Sequence, residues 1–304
     1  MFPGLLRWVK DGVKRVIPGF KPHLKAILGD RRYVELGAFL HLEYWPDSRN
    51  PYTFNERILH RKLTTADPRF TVVEDKVAVR KYVRSHLGTD LARAVLPTLI
   101  GVYGGEGDPD LDQLDLDDLP EACVIKPSHM SGKVIIKHPE VDEDLQRVHD
   151  LCEQWLHSTY GQLDEQYWYA DMTPRVVVEE WLGDDRGNPP ADYKFYVFDG
   201  HVRYIHVDTN RFTNHRRRFY DREWNPQEFT RGIELAPVTP RPSRYDQMLQ
   251  IAEKLGAGFD FIRVDLYETA DDSIRFGEMT VAPGSGAEQF NPTSMDAEFG
   301  EHWN

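Results

Sequence analysis

The chain has 304 residues and a formal charge of −13, with 40% apolar, 12% aromatic and 29% charged residues, an ordinary globular composition at a pI of about 5.4. So acidic a chain excludes nonspecific duplex binding, which needs Lys and Arg to neutralise phosphates, and no apolar run approaches a membrane span. Two cysteines, Cys123 and Cys152, are too few for a disulfide framework or a cysteine metal cluster, so the composition predicts a reduced, cytoplasmic enzyme of one large domain or two joined ones.

Residues 1–34 hold eight Lys/Arg against two Asp/Glu, which makes this segment +6 and leaves −19 for the rest. Apolar residues such as Leu5, Trp8, Val9 and Val13 lie between the cations. Such a basic amphipathic helix either lies on an anionic membrane surface or packs on the body with its cations in solvent. Thr53-Phe54-Asn55-Glu56 is a capping box that opens a helix to about residue 66. A second helix is predicted over 71–87, stopped by Gly88. Its apolar stripe is Val72, Val79 and Val83, and Lys76 falls inside that stripe. A lysine facing a core is costly unless it snorkels out or meets an anion such as a phosphate. Arg80 lies one turn further on.

Strands near 95–103 and at 122–126 bracket an acidic loop from Glu106 to Glu121. Lys126 ends the second strand and leads into a loop holding Ser128, Ser131 and Gly132. That is the composition of a phosphate-covering flap, although the order is not that of a Walker A loop. His129 in the loop is either a phosphate contact or a surface residue. A strand at 133–137 and a helix at about 141–157 follow. The valine-rich strand from Arg175 runs into Glu179-Glu180-Trp181-Leu182. An apolar strand ending in paired carboxylates suits an adenosine site, with backbone groups for the adenine edge and a carboxylate for the ribose hydroxyls.

Strands 192–198 and 201–207 are joined by Asp199-Gly200, a hairpin signal. They place Asp192 and Lys194 on one face, and Lys194 is another candidate phosphate ligand. A helix is predicted from Ser243 to Gly256, then two strands at 260–268 and 273–280. Alternation puts Phe261, Arg263, Asp265 and Tyr267 on one face of the first strand. Ile274, Phe276, Glu278 and Thr280 share a face of the second. If the two pair as a hairpin, Asp265 and Glu278 converge with Arg263 and Thr280 beside them. Paired carboxylates repel unless a cation separates them, and Mg²⁺ suits one or two carboxylates plus phosphate oxygens. An exposed polar sheet face is the plainer alternative. The backbone amides of Pro283-Gly284-Ser285-Gly286 could form an anion nest. Helices come mainly first and antiparallel strands later, so the class is α+β.

Together and in this order, Asp75-Lys76, Lys126 with its Ser/Gly loop, Glu179-Glu180-Trp181-Leu182, Asp192-Tyr193-Lys194, Arg263-Val264-Asp265 and Glu278-Met279-Thr280 resemble the ATP-grasp superfamily. Thr53-Phe54-Asn55-Glu56 and Phe276-Gly277-Glu278-Met279-Thr280 narrow the resemblance to its TupA-like branch, associated with surface polysaccharide and teichuronopeptide synthesis. The resemblance runs from about residue 50 to the C-terminus. It implies an ATP-grasp domain over 51–304, while residues 1–50 lie outside it and are read, from their own pattern, as a basic amphipathic helical segment. That domain would have an ATP-binding lobe at about 95–183 and a metal-binding lobe at about 184–304, clamping a nucleotide.

By the same resemblance, Lys76 and Lys126 match the two lysines that hold ATP phosphates, beside the loop with Ser131 and Gly132, and Lys194 is the further candidate from its strand face. Glu179, Glu180, Trp181 and Leu182 hold adenine and ribose. Asp265, Glu278 and Thr280 ligate Mg²⁺, and Arg263 stabilises the transferring phosphoryl group. Many superfamily members carry Asn at the position of Thr280. The activity implied is ATP-dependent carboxylate–amine ligation, forming a carbon–nitrogen bond through an acyl phosphate. Phosphoryl transfer to a hydroxyl, or a non-catalytic scaffold in a membrane-associated glycan assembly, are the alternatives. The expected partners are a small-molecule carboxylate and an amine. Contact with the inner face of the membrane through residues 1–34 is a further expectation. The acceptor is expected at the basic segment Arg211 to Arg218, including Arg211 and Arg216, and at Ser285 and Gly286; an edge strand blunted by cations is the other reading of that segment.

Overall fold

The computed structural model describes residues 23–141, 144, 147–161, 165–209 and 214–303. The chain begins with helix α1 over residues 23–39, and α2 (Phe54–Thr64) follows. The capping box at its start is present. Thr53 accepts the amide of Glu56, and the Glu56 carboxylate accepts the amide of Thr53. The helix expected over 71–87 is broken. It forms as α3 (Arg69–Glu74) and α4 (Val79–Leu87), with Asp75 extended between them. The Asp75 carboxylate accepts the amides of Val77 at 2.7 Å and Ala78 at 2.8 Å. That local side-chain bond competes with helix continuation. Val72 is therefore not part of a continuous core stripe and is 38% exposed.

After α5 (Thr89–Val95), strands β1 (Leu99–Tyr103), β2 (Cys123–Pro127), β3 (Ile135–Lys137) and β4 (Val176–Glu180) form an antiparallel sheet in the order β1-β4-β2-β3. Helix α6 (Val148–Leu156) covers it. Cys123 and Cys152 are buried in the core between them, with Ile125, Ile135, Trp155 and Val178. Both behave as small apolar side chains.

The second sheet is antiparallel, in the order β10-β9-β5-β6-β7. Its strands are β5 (Ala191–Phe198), β6 (His201–Thr209), β7 (Arg216–Asp221), β9 (Phe261–Glu268) and β10 (Ile274–Thr280). Asp199 and Gly200 turn the β5–β6 hairpin with φ of 47° and 76°, the left-handed pair that two-residue hairpins favour. One face packs on α7 (Tyr245–Gly256), whose Tyr245, Met248, Leu249, Ala252 and Leu255 are buried. On the other face, α2 and α8 (Ser294–Glu301) pack against Tyr196, Phe198 and Phe261. There Phe54 meets the rings of Phe261, Phe299 and Trp303 at 5.0, 5.7 and 5.7 Å. A two-stranded ribbon, β8 (Thr230–Arg231) with β11 (Phe290–Asn291), completes the fold. No helix among the described residues is long and apolar enough to cross a membrane. The segment 1–22 lies outside the described residues, and with it most of the expected basic helix.

Candidate active site

One cleft gathers Glu74, Lys76, Arg80, Lys126, Glu179 and Glu278, from α3, α4, β2, β4 and β10. Lys76 occupies the break between α3 and α4 rather than a helix face. Its amide donates to Ser128 O at 3.2 Å and its ammonium to Met130 O at 2.6 Å. Both bonds tie it to the Ser/Gly loop, where Ser131 and Gly132 are exposed. Burial lowers the Lys76 pKa. Lys126 pairs with Glu179 at 2.6 Å, and Arg80 meets the other oxygen of the same carboxylate at 3.1 Å. Glu179 thus bridges two cations across the cleft floor.

The next three residues diverge from Glu179. Glu180 accepts the amide of Thr98 at 2.6 Å, the Trp181 indole donates to Asp184 O at 3.1 Å, and Leu182 is half-buried. His129 is neither exposed nor turned to the cleft. It is buried, with Nε2 at 3.1 Å from Trp155 O.

The β9–β10 hairpin forms, with Asp265 opposite Glu278 and Arg263 opposite Thr280. The pairing shifts between Phe276 and Glu278, so Phe276 lies opposite Leu266 instead of sharing the face of Glu278. Gly277 is the extra residue of this bulge. A Cβ there would come within 3.0 Å of the Tyr267 ring and 3.1 Å of Asp265 O. Arg263 gathers the group. Its Nε donates to Asp265 at 2.7 Å, and its Nη2 donates to Asp265, Glu278 and Thr280 at 2.8, 2.9 and 2.9 Å.

Lys194, in β5 opposite Asp265, pairs with Asp192 at 2.6 Å and with Asp265. It is 4% exposed, so its ammonium backs Asp265 rather than facing the open cleft. Burial works against its charge, yet Asp192 and Asp265 raise its pKa. Asp265 is fully buried, and burial pushes its carboxyl up to about 6 against the pull of Arg263 and Lys194. The donor set is oxygen only: two carboxylates and a hydroxyl gathered on one cationic nitrogen. Such oxygens are of the kind Mg²⁺ takes, with phosphate and water completing its shell, but here Arg263 Nη2 stands at their centre.

A family model described as TupA-like ATP-grasp matches residues 56–304. This chain belongs to the TupA-like ATP-grasp family. Its fold is accordingly the ATP-grasp fold, in the α+β class. No curated protein matches it. Among solved structures it is similar to D-alanine–D-alanine ligase from Bacillus anthracis complexed with ATP, at 16% identity over 77% of this chain and 63% of that one, with a TM-score of 0.42. It is also similar to the VanG D-Ala:D-Ser ligase from Enterococcus faecalis (14% identity, 77% and 61% covered, TM-score 0.43). A third is D-alanine–D-alanine ligase from Helicobacter pylori (15% identity, 77% and 61% covered, TM-score 0.44). The chain thus spans about three fifths of the length of these ligases.

In this TupA-like protein the last three residues of the Arg-rich segment, Arg216 to Arg218, open the edge strand β7. Arg211 lies outside the described residues. Arg216 meets Glu234 at 3.5 Å. Arg217 and Arg218 are buried, against Asp208 at 2.8 Å and Ala236 O at 2.6 Å, so they are not solvated cations. The loop 283–286 is a tight turn that bonds within itself. The amides of Ser285 and Ala287 are used within the turn, and the Ser285 hydroxyl accepts Lys62 at 2.7 Å. Gly286 is buried against α2.

Glu74 was not legible as a site residue. It lines the cleft, accepts the Tyr169 hydroxyl at 2.5 Å and the Val281 amide at 2.8 Å, and burial raises its carboxyl to about 7. Its only sequence signal is that it precedes Asp75-Lys76.

Proposed function

We propose that this ATP-grasp protein is an ATP-dependent carboxylate–amine ligase. The observation that carries the reading is the single cleft in which Lys76 and Lys126 face Glu278, with Arg263 and Asp265 behind it. These groups come from distant parts of the chain and combine cations for phosphates with oxygens for a hard metal. Lys76 and Lys126 hold the phosphates, while Glu179, the one residue of its segment that lines the cleft, meets the adenosine. Asp265, Glu278 and Thr280 would hold Mg²⁺, which when bound neutralises phosphate charge.

A substrate carboxylate oxygen attacks the γ-phosphorus, and the bond to the β–γ bridging oxygen breaks to release ADP. Arg263 balances charge on the transferring group. The amine nitrogen then attacks the acyl carbon, the acyl–phosphate C–O bond breaks, and inorganic phosphate leaves as the nitrogen gives up its proton. The protein supplies positioning and charge rather than a covalent nucleophile. Surface-polysaccharide or small-peptide synthesis is the pathway we propose, on family likeness alone.

Hydroxylamine tests the chemistry. With ATP, Mg²⁺ and a screen of uronic and amino acids, the productive carboxylate is expected to yield a hydroxamate together with ADP. ADP without hydroxamate from a working substrate would instead identify phosphoryl transfer to a hydroxyl.

A further inference from the structure

The segment Glu165–Tyr169 lies between the N-terminal helix and the cleft. The Glu165 side chain is 0% exposed, and its backbone is left-handed at φ 56°. A non-glycine residue keeps that conformation only where its surroundings hold it. The buried carboxylate takes the Lys25 ammonium at 2.6 Å and the Tyr167 hydroxyl. Lys25 belongs to α1 and also lies 5.4 Å from the centre of the Tyr167 ring. A cation that compensates this buried charge therefore arrives from the N-terminal helix, which itself packs on Leu59 of α2 and Ala287 beside the 283–286 turn.

The residues after Glu165 reach the site. Gln166 Nε2 donates to Ser285 Oγ at 3.4 Å. The Tyr169 hydroxyl donates to Glu74, whose other oxygen accepts the Val281 amide. Glu74 directly precedes Asp75-Lys76, and Val281 directly follows Thr280. One carboxylate thus ties the wall carrying Lys76 to the strand end carrying Glu278 and Thr280.

We infer that Lys25 is a positioning residue for the nucleotide cleft, acting through Glu165, Tyr169 and Glu74 to set the spacing between Lys76 and Glu278. This role presupposes that the cleft binds nucleotide. Removing the cation leaves a buried carboxylate uncompensated. The segment must then shift, and the change reaches Tyr169 four residues on.

The test is calorimetric binding of AMP-PNP with Mg²⁺ to the full chain. Lys25→Met is expected to weaken binding about tenfold, within the range for mutations along a packed, hydrogen-bonded path. Lys25→Arg keeps the cation and is expected to restore most of the loss. Tyr169→Phe keeps the ring, which packs on Tyr160 at 4.7 Å, and removes only the donor to Glu74; it is expected to weaken binding to a similar degree. The double variant is expected to lose less than the two single losses combined, because both act on one path. Wild-type binding with unchanged affinity in Lys25→Met and Tyr169→Phe overturns this role alone, even if melting temperatures fall. Fully additive losses overturn it too. A wild-type chain that binds no AMP-PNP overturns the nucleotide reading along with it.

Discussion

Glu278→Gln is expected to lower ADP formation by about 10²–10³-fold, the usual cost of removing one group that stabilises developing charge. Glu278 suits the test because its side chain is 37% exposed and faces the cleft. Gln has nearly the same shape and keeps an oxygen for the Arg263 bond now at 2.9 Å. The fold should therefore hold, with little change in melting temperature, while one of the two charges available to a divalent cation is lost. ADP release in the presence of the productive carboxylate is the measurement. Turnover equal to wild type would remove Glu278 from the metal set and with it the main support for the proposed chemistry.

Lys194→Met is expected to act differently, through the fold. Lys194 sits between Asp192 and Asp265, with almost no exposure. Breaking a buried pair by removing one partner typically costs about 3–5 kcal/mol, because the remaining charge stays buried. A phosphate-only lysine would instead lower nucleotide affinity with little change in stability. Urea unfolding separates the two, and a loss below about 1 kcal/mol would return Lys194 to the phosphates.

The pH dependence of this loss follows from Asp265. Burial holds its folded carboxyl at about 6, above the ordinary value of about 3.9. The folded chain therefore binds a proton that the unfolded chain has released, and this contribution fades as pH rises through about 6. Lys194→Met removes one of the two cations that pull the value down, so the carboxyl takes a proton at higher pH still. The deficit is expected to be larger at about pH 7.5 than at about pH 5, since a neutral carboxyl needs no buried counter-ion.

Much of the site was legible because its groups recur at short spacing. Period-two alternation already placed Arg263 and Asp265 on one face, and the turn at Asp271-Asp272 brought Glu278 and Thr280 back beside them. Other features were hidden for physical reasons. The break at Asp75 involves no Gly or Pro, only a side chain that bonds two amides. The bulge at Gly277 reverses the face of Phe276, which alternation cannot show. Arg217 and Arg218 read as acceptor ligands or as solvated edge cations because their counter-groups, Asp208 and the Ala236 carbonyl, are not marked as such in the chain.

By itself, then, the sequence determined the α+β class, the hairpins at Asp199-Gly200 and β9–β10, the capping box at Thr53, and the carboxylate pair. The class follows from the order of the elements, and the caps and hairpins join residues no more than 17 positions apart, which local turns bring together. Only the tertiary structure decided that Lys194 backs Asp265, that Glu179 bridges Lys126 and Arg80, and that Glu74 joins the two walls of the cleft. Alternation says which face a charge occupies, but the strand or helix packed against that face decides what it meets. For a buried charge that partner sets both its energy and its use.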